Sequence, residues 1–184
     1  MAGHQGYDQN SEGVIRQLRP SEELLFRRHL LSLDSESRRD RFNGVTDDHF
    51  VASYSSRCFL DGTTVIGYVV NGQVRGAAEL HERPELTEPT GEIAFSVERE
   101  YQHRGVGSRL FARLVESARG AGYQKLLVTT HPENEAMKAL ARKFKSKLSF
   151  QAGETVGRIE LGREGLPEVT LSLGGASPDQ VSPR

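Results

Sequence analysis

Within residues 91–130, GEIAFSVEREYQHRGVGSRLFARLVESARGAGYQKLLVTT, the hydrophobic period changes twice, and that restricts the chain to folds built around a strand–helix–strand unit. Ile93, Phe95 and Val97 alternate with Glu92, Ala94 and Ser96, the period of two that a pleated strand produces. Val106, Leu110, Leu114, Val115 and Ala118 then recur with the 3.6-residue period of one helical face, and Gly120 with Gly122 supplies a stop. Leu126, Leu127 and Val128 form an unbroken apolar run, the pattern of a strand covered on both faces. Together these predict a right-handed βαβ unit in the middle of a sheet.

The turn that enters the predicted helix holds Gly105 and Gly107. Helix entry leaves backbone N–H groups without an internal partner, and glycines let an anion approach them closely. Two familiar phosphate loops are excluded by spacing. No GxxxxGK[ST] string occurs, and the glycine series 105, 107 continues to Leu110, so GxGxxG is also absent. What stands there is Gln102-His103-Arg104-Gly105-Val106-Gly107, a Q/R-x-x-G-x-G pattern that closely resembles the acetyl-CoA signature of the GNAT superfamily of N-acetyltransferases. The resemblance implies acetyl-CoA as co-substrate. By it, Gln102, His103, Arg104, Gly105, Val106, Gly107 and Ser108 form the pyrophosphate loop, and the backbone of Ser96 and Val97 pairs with the pantetheine arm like an added strand.

The 184 residues suffice for one core-bearing domain, and the net charge of −1 offers no basic surface for nucleic acid. A single cysteine, Cys58, supports neither an internal disulfide nor a zinc site. No apolar stretch of membrane-spanning length and no signal-like N-terminus is visible, so the expectation is a cytoplasmic protein with no membrane partner and an open oligomeric state. Residues 1–12 and 174–184 are polar and aperiodic and are expected to be disordered, leaving one domain over 13–173.

Along that domain, residues 14–18 predict a first strand closed by Pro20. Ser21 is placed as the cap of a helix burying Leu24, Leu25, Leu30 and Leu31, and further helices follow over 35–42 and 47–55. Arg38, Arg39 and Arg41 are assigned to a solvated helix face. Two strands, 65–70 and 74–80, flank Asn71-Gly72, a strong hairpin signal. The predicted fold is α/β (α+β): a mixed, mostly antiparallel sheet with helices on both faces and a central βαβ unit, the order that the GNAT resemblance also implies. Residues 31–42, LSLDSESRRDRF, and 131–144, HPENEAMKALARKF, are similar to two segments of Pat-type bacterial protein-lysine acetyltransferases.

The chemistry implied is acetyl transfer to a primary amine. Lysine has a pKa of about 10.4, so only about one side chain in a few thousand is free amine at neutral pH, a penalty of roughly 4–5 kcal/mol. A base is needed. Glu92 is the candidate: a carboxylate on a central strand is costly unless used or paired, and in the family a glutamate here takes the amine proton, often through water. Water fits the reach, because the four residues to Ser96 span about 13 Å at ~3.3 Å each. A backbone N–H near 95–97 would stabilise the developing oxyanion. Asn134 either contacts the pantetheine arm, as the resemblance implies, or caps a helix. Ala141 stands where many family members carry a tyrosine that protonates the leaving thiolate. Acids at Glu79, Glu82, Glu85 and Glu88 are expected beside the substrate entrance. Protein lysine is the favoured acceptor; a polyamine or amino acid, or a CoA-binding sensor without catalysis, are the alternatives.

Overall fold

The computed structural model describes residues 13–162. The termini expected to be disordered, and 163–173 of the expected domain, lie outside the described residues. Strands β1 (Val14–Gln17), β2 (Thr64–Val70), β3 (Gln73–Glu82), β4 (Thr90–Val97), β5 (Lys125–Thr130), β6 (Lys147–Gln151) and β7 (Glu154–Glu160) form one sheet in the order β1-β2-β3-β4-β5-β7-β6. Every neighbouring pair is antiparallel except β4 and β5, which are joined by a helix. The helices are α1 (Glu23–Ser32), α2 (Ser35–Phe42), α3 (Asp48–Leu60), α4 (Val106–Gly120) and α5 (Glu135–Lys143). None of them is long and apolar enough to cross a membrane.

The helices divide between the two faces as the mixed-sheet expectation requires. Leu110, Phe111, Leu114 and Ala118 of α4 pack with Ile66, Leu80, Ile93 and Leu126 on one face; Phe26 and Leu30 of α1 and Val51 of α3 pack with Val65 and Ala77 on the other. Phe111, which the helical stripe read from sequence omitted, stacks between Phe95 of β4 (centroids 5.0 Å) and Phe144 just beyond α5 (3.9 Å), tying three elements together. The β2–β3 turn has φ of 50° at Asn71 and 75° at Gly72, the left-handed pair that a two-residue hairpin demands.

Several boundaries differ from the sequence reading. Pro20–Glu22 form a 3-10 turn, so Ser21 is not the cap of α1; instead the Glu22 carboxylate accepts the Arg19 N–H at 3.0 Å and pairs with Arg16 at 2.6 Å. Phe26, His29, Leu30 and Leu33 are the buried residues there, spaced as one helical stripe, while Leu24 points out at 55% exposed. Helix α3 runs on to Leu60. Strand β5 is not covered on both faces: Leu126 and Val128 are buried but Leu127 is only half-buried. The reason is the reach of the first three helices, which pack on β2, β3 and β4 and leave that face of β5 thinly covered.

Candidate active site

β4 and β5 run side by side for only three residue pairs, from Thr90↔Lys125 to Glu92↔Leu127. Beyond Glu92 each follows its other neighbour: β4 stays on β3 as far as Val97↔Gly76, and β5 stays on β7 as far as Thr130↔Thr155. The two strands part, and a cleft of about 750 Å³ opens between them. Phe95, Ser96 and Val97 line it from β4, the N-terminal turn of α4 closes one end, Asn134, Met137 and Leu140 line it from the α5 side, and α2 lies across it with Glu36, Asp40 and Arg41.

The glycine turn has the geometry that anion binding needs. Gly105 caps α4 at φ 77°, ψ 1°, a conformation costly for a residue with a Cβ. The first N–H groups of a 15-residue helix then face the cleft, with the positive end of its dipole behind them. A Cβ at Gly107 would meet only Leu140 Cδ2, at 3.7 Å, so the missing side chain is not demanded by packing and leaves open space at the helix entrance. Lys143 Nζ donates to Ser108 Oγ at 2.9 Å and lines the same end, adding a cation that the sequence reading did not single out. Val106 is buried beneath the turn, and His103, exposed at φ 56°, lines the cleft.

The two remaining loop residues make side-chain contacts of their own, and Gln102 also lines the cleft. Gln102 Nε2 donates to the Val97 carbonyl at 2.9 Å and to Ser37 Oγ at 3.1 Å, bracing the turn against β4 and α2. Arg104 lies outside the lining, its guanidinium 5.8 Å from the Tyr101 ring centroid. Asn134 Oδ1 accepts the Met137 N–H at 2.8 Å, capping α5, and also lines the cleft, so both readings of that residue meet in one place.

Glu92 sits at the last position of β4 that is paired with β5. Its carboxylate is ion-paired with Arg83, its side chain is 32% exposed, and it is not among the lining residues. The acids of residues 79–88 do not flank the entrance. Glu79 is buried in β3, Glu85 pairs with Arg83 at 2.5 Å, Glu88 pairs with Lys125, and none of them nor Glu82 lines the cleft. The acids that do line it are Glu36 and Asp40 of α2 and Glu133 and Glu135. Partial burial raises the Asp40 carboxyl above its ordinary range.

Arg41 corrects the picture of a solvated arginine face. Its side chain is 7% exposed and forks onto Glu79, donating at 2.7 Å to each carboxylate oxygen, while Arg39 remains outside. Tyr54 donates to the same carboxylate at 2.5 Å and His81 approaches it at 3.3 Å. Burial alone would push Glu79 up, but Arg41 and His81 hold it down at about 2. Cys58, Glu79 and His81 converge within 4.8 Å, a grouping that sequence spacing does not reveal. The guanidinium already neutralises the carboxylate, and burial pushes the Cys58 thiol up to about 12, so the trio suits an ion pair rather than a metal.

On the α1 side of β4, His29 is 1% exposed and touches Ser96 and Glu98. Neither His29 nor Glu98 stood out in the sequence; the available signal was a histidine inside an apolar helical stripe.

Residues 28–145 match the model of the Acetyltransferase (GNAT) family. Among solved structures, the GNAT domain of S. lividans PAT superposes with a TM-score of 0.69 at 18% identity, covering 80% of this chain and 90% of that one. YncA of Salmonella typhimurium, a putative acetyltransferase solved with acetyl-CoA, gives 0.62 at 18% identity over 86% and 99%. A phosphinothricin acetyltransferase from Sinorhizobium meliloti, solved in complex with AcCoA, gives 0.61 at 16% over 83% and 90%. At these identities the likeness is one of fold.

Proposed function

The chain belongs to the GNAT acetyltransferase family, and from that premise we propose that it transfers an acetyl group from acetyl-CoA to a primary amine, with a protein lysine side chain as the favoured acceptor. The observation that carries the reading is the parting of β4 from β5 directly behind the Gly105 turn. An extended pantetheine arm fits along the β4 edge left without a strand partner past Glu92, with its pyrophosphate against the N–H groups of 104–108 and Lys143 beside them. The lysine preference rests on the likeness of residues 31–42 and 131–144 to the Pat-type segments, since α2 and the start of α5 both border the cleft. A polyamine or amino acid acceptor is the alternative.

In this scheme Glu92 takes the ammonium proton through water, from the last position of β4 that is paired with β5. A backbone N–H within 95–97 stabilises the developing oxyanion. Asp40 and Glu36, which line the cleft, attract the cationic amine. Calorimetry with acetyl-CoA, followed by mass spectrometry of its turnover against amines and lysine-bearing proteins, tests the reading. Saturable binding that Gly107→Val abolishes, with transfer to a primary amine, supports it; a chain that does not bind acetyl-CoA sinks it. Glu92→Gln should keep the affinity and lose turnover at neutral pH, recovering in part as pH rises toward the amine's own pKa. An unchanged rate and pH profile would remove Glu92 from the scheme.

A further inference from the structure

Three side chains on the α1 side of β4 make an arrangement that packing alone does not ask for. Ser96 Oγ lies 2.8 Å from His29 Nε2, and His29 Nδ1 lies 3.2 Å from Glu98 Oε1. Glu98 is held in turn by Ser32, whose hydroxyl donates at 2.9 Å, and by Arg75, which donates at 2.8 Å. All three members are nearly buried, at 7%, 1% and 9% exposed. Yet Ser96 also lines the cleft, and of the β4 residues that do so it alone carries a dissociable proton. A hydroxyl, an imidazole and a carboxylate in this order and at these distances are the parts of a proton relay, with the outer group orienting the ring.

The hydrogen bonds set the direction in which the relay runs. Burial would raise the Glu98 carboxyl, but the bonds from His29, Ser32 and Arg75 outweigh it and hold the group below the usual range. An ionised carboxylate only accepts, so Nδ1 donates to Glu98, which leaves Nε2 as the ring atom that faces the Ser96 hydroxyl. Ser96 itself lines the cleft, so the hydroxyl that meets His29 belongs to a residue of the cleft wall.

Amine acetylation has two protons to place. The first leaves the ammonium before attack, and that is the one assigned to Glu92. The second leaves the nitrogen as the C–N bond forms, and a proton must reach the sulfur as the C–S bond breaks. Ala141, buried and apolar, stands where the family resemblance puts a tyrosine for that purpose.

We propose that Ser96, with His29 and Glu98 behind it, carries this second proton from the acceptor nitrogen to the departing thiolate. As the C–N bond forms, the nitrogen gives its proton to Ser96 Oγ while the serine's own proton moves to His29 Nε2. As the C–S bond breaks, His29 returns a proton to Ser96 Oγ and the serine delivers one to sulfur, leaving the amide, CoA thiol and the relay in its starting state. Ser96 is the catalytic residue; His29 and Glu98 act through it. The inference rests on the acetyltransferase reading of the cleft and adds the donor which that reading lacks.

Ser96→Ala removes one oxygen and Glu98→Gln keeps the shape of the carboxylate. The glutamine amide, donating to Nδ1, moves the ring proton to Nε2, where it can no longer accept from Ser96. Acetyl-CoA affinity is read by calorimetry and the fold by thermal melting. Turnover is read as CoA thiol released with poly-L-lysine as acceptor and, separately, with water as acceptor. The relay predicts that each variant keeps the parent Kd within about threefold and loses about 10²–10⁴ in kcat. It also predicts that the double variant is no slower than the worse single one, because both cut the same path. A role confined to packing predicts lost thermal stability with kcat kept, and losses that add. Either variant at the parent's kcat, additive losses, or a parent that binds acetyl-CoA but releases thiol to neither acceptor overturns the relay. A parent that fails to bind acetyl-CoA overturns the underlying reading instead.

Discussion

Two glycines two residues apart in one turn do different physical work. Gly105 is required by its own backbone, at φ 77°, whereas Gly107 sits in helical conformation with room for a Cβ. Gly105→Ala should therefore cost about 1–2 kcal/mol of stability. Gly107→Ala should be neutral or stabilising by up to about 1 kcal/mol, since alanine is the better helix former. Urea unfolding of the two variants checks this, and equal destabilisation would refute it. Arg41 shows how one buried contact differs from an exposed one. Arg41→Met would leave the Glu79 carboxylate, 0% exposed, without its main counter-charge, an expected loss of about 3–5 kcal/mol. Arg39→Met breaks only an exposed pair with Glu133 and should cost under about 1 kcal/mol by the same measurement.

Helix α2 is held over the cleft by ties to both of its banks. On the β4 side Arg99 reaches Asp34 at 3.3 Å and Glu36 at 2.6 Å, and Gln102 reaches Ser37. On the β5 side Arg39 pairs with Glu133 at 2.9 Å, and Asn43 Oδ1 accepts the His131 N–H at 3.0 Å. The ion pairs among these are largely exposed, each worth roughly 0–1 kcal/mol and open to screening. Amides of α2 should therefore exchange with solvent up to about tenfold faster at 1 M salt than at 0.1 M, while those of β3, buried in the centre of the sheet, should not change. Hydrogen exchange read by mass spectrometry distinguishes the two, and an α2 insensitive to salt would show that the exposed ion pairs do not hold it.

For the molecule as a whole, pH dependence follows from carboxylates that gain partners on folding. Glu79, held down by Arg41 and His81 against the opposing effect of burial, lies at about 2; Glu22, bonded by Arg16 and the Arg19 N–H, and Asp34, bonded by the Ser37 N–H and Arg99, also lie at about 2. A carboxyl whose folded pKa is depressed contributes stability that is present above its unfolded value and is lost as pH falls through the folded one. Unfolding free energy should therefore be nearly flat from about pH 7 to 5 and decline between about 4.5 and 2. Chemical denaturation at a series of pH values reads this, and Glu79→Gln should flatten the decline most, because Glu79 is the buried member. A decline that begins above pH 6 would point to other groups.

What was legible in the sequence was local. The period change across 91–130, the left-handed Asn71-Gly72 pair and the glycine-bearing helix entrance are set by each residue's own conformational preferences and its near neighbours, and all appear at or close to the expected positions. Even the dual place of Asn134, as cap and as cleft wall, follows from its standing one residue before a helix. The parting of β4 from β5 was not legible, because it depends on β7, more than fifty residues along the chain from β4, holding β5 over its full length. Nor was the inward turn of Arg41: an arginine on a short polar helix reads as solvated until a buried glutamate from another element arrives to neutralise it. His29, Ser96 and Glu98 are separated by up to 69 residues, and only the packing of α1 on the sheet makes them neighbours. Sequence determines what each segment can be, through short-range sterics and period. Which polar groups meet inside is decided by tertiary packing, because burial makes an unpaired charge costly and so selects the arrangement in which each finds a partner.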